Sequence, residues 1–100
     1  MIAHIVLWDH LDGLSQAEKH ANAQLIKNSL EALLGVVPGL VELKVYTEQL
    51  ESSTCDIALY SIMESPEALK VYTDHPAHVK AATEVVRPRV QNRRAADYAL

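Results

Sequence analysis

Ile2-Ala3-His4-Ile5-Val6-Leu7-Trp8-Asp9 reads as a strand, rich in branched apolar residues and closed by the polar turn Asp9-His10-Leu11-Asp12-Gly13. Side chains of a strand alternate between its faces, so Ile2, Val6 and Trp8 flank His4 on one face while Ala3, Ile5 and Leu7 lie on the other. With both faces mainly apolar, the strand must be buried from two sides. Cys55 to Met63 repeats the pattern, with Ile57, Leu59 and Met63 on one face and Ala58, Tyr60 and Ile62 on the other.

Between these runs, Ser15-Gln16-Ala17-Glu18 has the spacing of a capping box, in which a hydroxyl and a carboxylate satisfy free amides of the first helical turn. Ala23, Ile26, Leu30, Leu33 and Val37 then recur at three and four residues, the stripe of a helix facing a core. Gly35 and then Pro38-Gly39 should end it. Leu40 to Thr47 alternates Val41, Leu43 and Val45 with Glu42 and Lys44, which predicts a strand wetted on one side. Glu48 to Thr54 is polar and reads as a loop.

Ser65-Pro66-Glu67 sets an N-cap before a proline at the first helical position, and Ala68, Leu69 and Tyr72 follow on one face. His75-Pro76 breaks that helix and starts another, because a residue before proline avoids helical geometry while proline suits a first turn. Val79, Ala82 and Val86 form the second segment's apolar face, and Pro88 should end or kink it. Arg93 to Leu100 reads as a short closing strand.

The order strand, helix, strand, strand, helix pair, strand predicts an α+β, ferredoxin-like split βαβ fold: a four-stranded antiparallel sheet with helices on one face, and one domain over residues 1–100. The other sheet face would then be an exposed apolar patch of roughly several hundred Å2, which soluble monomers rarely tolerate. A homodimer that packs sheet against sheet is expected.

Composition narrows the function. Apolar residues make up 49% and charged ones 22%, as in a folded domain. A net charge of −4 argues against nucleic acid as a partner, since such binding rests mainly on neutralising phosphates. Cys55 is the only cysteine, without a basic neighbour in sequence, and reads as a small buried residue. The N-terminus has no basic leader or small-residue cleavage site, and no stretch approaches a membrane span, so a soluble cytoplasmic protein is expected.

The residues that can do chemistry are His4, Tyr72 and His78, since imidazole and phenol can move a proton near neutral pH without a metal or cofactor. His78 falls about two residues into the helix after Pro76, where the helix dipole should keep its ring neutral and able to accept a proton. Tyr72 could hydrogen-bond the imidazole or a developing enolate oxygen, and His4 could orient a carbonyl. Val6, Trp8, Ile26, Leu59 and His75 are expected to line the pocket. In the plainer account His75 and His78 cap and pack the helix junction and Tyr72 fills the core.

The segments His4-Ile5-Val6-Leu7, Val37-Pro38-Gly39-Leu40, Ser65-Pro66-Glu67-Ala68-Leu69, Tyr72 with His75-Pro76-Ala77-His78-Val79, and Asp97-Tyr98 together resemble the stress-responsive A/B barrel (Dabb) family, over the whole length and in order. The resemblance implies a dimeric α/β barrel. One plant member, a polyketide cyclase that works by aldol condensation without a cofactor, carries a similar His-Pro-Ala-His segment. Its catalytic histidine and tyrosine fall on His78 and Tyr72, and its first-strand histidine on His4. This chain has no Phe, and offers Asn22, Ala23 and Ile26 where an aromatic lining would be expected, which implies a different substrate.

A metal site built from His4, His75, His78 and Asp74 is the next alternative, but the paired spacings of zinc sites are missing, so no metal or cofactor is expected. Arg87, Arg89, Arg93 and Arg94 could attract an anion. The plainer account leaves Arg87 and Arg89 at a helix C-terminus and the other two in ion pairs at the strand or dimer edge. His10 and His20 are read as solvent-exposed. Two function classes remain: a cofactor-independent acid/base enzyme, cyclase- or lyase-like, acting on a small apolar carbonyl compound, and a non-catalytic stress-response or ligand-binding dimer.

Overall fold

A computed structural model describes all residues 1–100. Its elements run β1 (Ile2–His10), α1 (Gln16–Glu31), β2 (Leu40–Tyr46), β3 (Ile57–Met63), α2 (Pro66–Asp74), α3 (Pro76–Lys80), a π-helical stretch (Ala81–Val86), a 3-10 turn (Arg87–Arg89) and β4 (Val90–Ala99). The four strands form one antiparallel sheet in the order β2-β3-β1-β4. The fold is therefore α+β and ferredoxin-like: β1 and β2 are joined through α1 with β3 inserted between them.

Local chemistry sets the helix ends. Ser15 accepts from the Glu18 amide while the Glu18 side chain accepts from the Ser15 amide, closing the capping box. The helix ends at Glu31, before Gly35, and the turns beyond it still bury Leu33 and Val37. Glu31 is held by core geometry: it accepts from Lys27 Nζ at 2.7 Å and from the Val45 amide at 2.9 Å.

The core lies between the helices and one sheet face, where Val6, Trp8, Ile57, Leu59 and Met63 meet Ala23, Ile26, Leu30 and Tyr72. Alternation fails at two points. Leu40 pairs with Met63 but Glu42 with Ile62, so Val41 is an extra residue in β2 and is 44% exposed, unlike Leu43 and Val45. The second irregularity, in β4, bears on the site. On the sheet face away from the helices, Ile5, Leu7, Tyr60 and Ile62 are half-buried, covered by no other part of the chain. No helix is long and apolar enough to cross a membrane.

Candidate functional site

His75 has an extended backbone (φ −62°, ψ 132°), as a residue before proline should, and this ends α2 one residue after Asp74. Its Nδ1 accepts from the Ala77 amide at 3.1 Å, so the ring serves as the N-cap of α3. The resulting corner turns His78 back toward the last turn of α2. There the His78 Nδ1 lies 3.1 Å from the Thr73 carbonyl oxygen. A carbonyl can only accept, so Nδ1 carries the proton, and in the neutral ring Nε2 bears the free lone pair.

Tyr72 stands between two imidazoles. Its ring centroid is 4.3 Å from that of His78, tilted by 39°, and 5.9 Å from that of His4 in an edge-on contact. His4 projects from the middle of β1 toward the helices, 8% exposed. Asp97 lies directly opposite it on β4, and the carboxylate takes the His4 Nδ1 hydrogen bond. All three rings border one cavity of about 390 Å3 between sheet and helices, with Val6, Trp8 and Leu59 on the sheet side. Leu30 of α1 and Ala82, Thr83 and Val86 of the π-helical stretch close it on the other. A π-helical stretch beside a cavity is a recurrent feature of functional sites.

Burial dominates the electrostatics. Desolvation holds His78 below the ordinary imidazole value, against the opposing pull of the Thr73 carbonyl, with lesser contributions from His4, Arg93 and Arg87. The ring therefore stays neutral at pH 7, although the main cause is burial and not the dipole of the five-residue α3. Desolvation pushes the Tyr72 phenol up to about 12. The phenol is thus a hydrogen-bond donor near neutrality and not a base. Tyr72 contacts His78 through ring faces, and no protein group hydrogen-bonds its hydroxyl, which leaves that hydroxyl for a ligand in the cavity.

Two expected lining residues lie elsewhere. Ile26 is 0% exposed within the core, and Leu30, one helical turn further along the same stripe, takes its place at the cavity. His75 is not at the cavity: its Nδ1 caps α3 through the Ala77 amide, and the residue lies on the outer surface beside Glu67, Lys70, Val71 and Asp74. His4, His75, His78 and Asp74 form no three-membered cluster, and no other group of three metal-ligating side chains converges. His10 is half-buried at the end of β1, with its Nδ1 sealed from solvent and unpartnered, whereas His20 is exposed.

The arginines divide unexpectedly. Arg89 donates to the Glu84 and Val85 carbonyls at the end of the helical segment, and Arg94 reaches Asp9 at 3.4 Å. Arg87 and Arg93 instead border the cavity. Arg93 stands beside a bulge: Leu7 pairs with Arg94 and Asp9 with Gln91, so Asn92 and Arg93 together oppose Trp8. Asn92 takes a left-handed φ of 57° and anchors its amide on Asp9 at 3.0 Å. Strand alternation from Asp97 and Ala95, which pair with His4 and Val6, puts Arg93 on the helix side, and the extra residue absorbs the change of register toward Gln91.

The chain belongs to the Stress Responsive A/B Barrel Domain (Dabb) family, whose profile matches residues 2–100. No curated protein is a match. Among solved structures it is similar to a dimeric ferredoxin-like protein of unknown function from Bacteroides fragilis, at 28% identity over 99% of this chain and 95% of that one, with a TM-score of 0.89. A dimeric ferredoxin-like protein of unknown function from Thermobifida fusca shares 23% identity over 99% and 90%, with a TM-score of 0.79. A hydroxynitrile lyase from Passiflora edulis shares the fold at 19% identity over 99% and 92%, with a TM-score of 0.73.

Proposed function

We propose that this Dabb-family protein is a cofactor-independent acid/base enzyme, cyclase- or lyase-like, that acts on a small apolar carbonyl compound as a homodimer. The observation that carries this reading is Tyr72 between two imidazoles held in different ways at one cavity. His78 Nε2 takes a proton from the carbon next to the substrate carbonyl. The electron pair moves to the carbonyl oxygen, where the Tyr72 hydroxyl donates a hydrogen bond to the developing enolate. The enolate then attacks a second carbonyl or expels a leaving group, and imidazolium His78 gives the proton to the new alkoxide or to the departing group. His4, oriented by Asp97, positions the second polar group of the substrate.

The apolar sheet-side wall of Val6, Trp8 and Leu59 suits a substrate body without charge, and a fold shared with a hydroxynitrile lyase is one that supports an enzyme site. Pairing of Ile5, Leu7, Tyr60 and Ile62 with the same face of a second copy accounts for the uncovered sheet, and both dimeric neighbours have this fold. The test is α-proton exchange into D2O, followed by NMR, for a panel of β-diketones and poly-β-keto thioesters. Wild-type protein should accelerate exchange or cyclisation of at least one of them, and His78→Ala should not. Binding without exchange across the panel would instead assign a ligand-binding dimer.

A further inference from the structure

We infer that Arg87 and Arg93 form an anion subsite at the cavity, so that the ligand is an apolar carbonyl compound bearing a carboxylate. This deepens the acid/base reading and rests on it only for the carbonyl. Four arginines fall within eight residues, and the two outside the cavity each have a protein partner: backbone carbonyls for Arg89, Asp9 for Arg94. The two that border the cavity have none. The only ion pairs join His4 to Asp97, Lys27 to Glu31 and Arg94 to Asp9, although the chain carries 13 Asp and Glu residues.

Backbone geometry brings Arg93 there. Asp97, Ala95 and Arg93 alternate onto the helix-side face, following the pairing of Asp97 with His4 and Ala95 with Val6, and the bulge at Asn92 falls just beyond Arg93. Arg87 arrives from the opposite wall, at the start of the 3-10 turn. Both lie close enough to act on the charge of His78. A guanidinium fork suits the two oxygens of a carboxylate, and the apolar remainder of the cavity takes the uncharged body. Anchoring the charged end fixes how deeply the carbonyl enters, which is a device for orientation at Tyr72 and His78.

The test is calorimetric titration of the full chain at low salt with 4-benzoylbutyrate, a ketone with a terminal carboxylate, and with its primary amide, which has the same body and no charge. The acid should bind about 10-fold or more tightly than the amide, the size of one charge-assisted hydrogen bond. Arg87→Gln and Arg93→Gln should each reduce that ratio, and the double variant should bring it to one while amide affinity holds. Lys80→Gln removes the same charge outside the cavity and should change nothing. Equal or undetectable binding of acid and amide by wild-type protein overturns the subsite, as does a preference that survives in the double variant. Tighter binding of inorganic phosphate than of the acid in the same titration would overturn the carboxylate assignment. The acid preference should persist in His78→Ala, and wild-type protein that shows the preference without proton exchange defeats only the catalytic reading. Exchange without the preference defeats only the subsite.

Discussion

His4 and Asp97 face each other across the β1–β4 ladder, and the carboxylate accepts a hydrogen bond from His4 Nδ1. That bond fixes the tautomer: Nε2 of the neutral ring is free to accept from a ligand. Asp97→Asn keeps the shape but replaces the carboxylate with a neutral amide. The Asp97 side chain is 46% exposed, so solvent screens the pair and the effect should lie at the low end for a charge-assisted bond, about 10-fold in kcat/KM. Steady-state kinetics would check it. A variant with unchanged kcat/KM would remove His4 from the mechanism.

His78 and Tyr72 should separate by kind of loss. Removing a positioned general base costs ~100-fold to 10,000-fold in rate, so His78→Ala should lose turnover while keeping the fold by circular dichroism. Tyr72→Phe keeps the packing against both imidazoles and deletes only a hydroxyl that bonds no protein group. Thermal stability should therefore hold in Tyr72→Phe while kcat falls. Lower stability at full kcat would mark Tyr72 as a core residue alone.

The lowered pKa of His78 has two consequences for pH. The base form persists below the ordinary value of 6.5, so the acid limb of kcat/KM should lie below 6.5. For stability the sign is that of a depressed group: the unfolded chain binds the proton more readily. The contribution is therefore complete above 6.5 and is lost as pH falls through the folded value. Urea unfolding of wild type and His78→Asn across this window should show the two converging toward acid. A parallel pair of curves would contradict the burial of the imidazole.

Much of this was legible because it is local. The two-sided apolar pattern of Ile2 to Trp8, the Ser15/Glu18 box and the His75-Pro76 break each act within a few residues, and each forms the element it predicts. The opposition of His4 and Asp97 depends on register between residues 93 apart, which no local pattern encodes. The same holds for the bulge that turns Val41 out and for the one at Asn92 beside Arg93. β4 begins at Val90 and not at Arg93 because ladder pairing with β1 extends a polar, exposed strand that propensity alone does not favour. His75 lies outside the cavity for a different reason: the corner it caps turns His78 inward and leaves the His75 ring on the outer surface beside Lys70 and Asp74.

Gly39 is needed at the entry to β2 for two independent reasons. Its φ of 79° lies in the left-handed region, and a Cβ there would meet the Ala68 Cβ at 2.7 Å. The second contact ties the start of β2 to the first turn of α2 and so to the helix that carries Tyr72. Gly39→Ala should cost roughly 1–3 kcal/mol by overpacking plus backbone strain, read from urea unfolding. Adding Ala68→Gly should recover only the steric part. Full recovery would mean the backbone conformation costs nothing.

Leu7 lies on the open sheet face between Ile5 and Asp9, opposite Ala58 on one side and Arg94 on the other. If a second copy covers this face, Leu7→Lys buries a charge whose neighbours include Arg94, a like charge. An uncompensated buried charge is destabilising by roughly 3–5 kcal/mol, enough to dissociate a micromolar dimer. Sedimentation should show a dimer for wild-type protein at micromolar concentration and a monomer or unfolded chain for Leu7→Lys. Lys80→Glu, a charge reversal outside this sheet face, should leave the dimer intact. A wild-type protein that sediments as a stable monomer would defeat the homodimer. The half-buried Ile5, Leu7, Tyr60 and Ile62 would then be a tolerated surface.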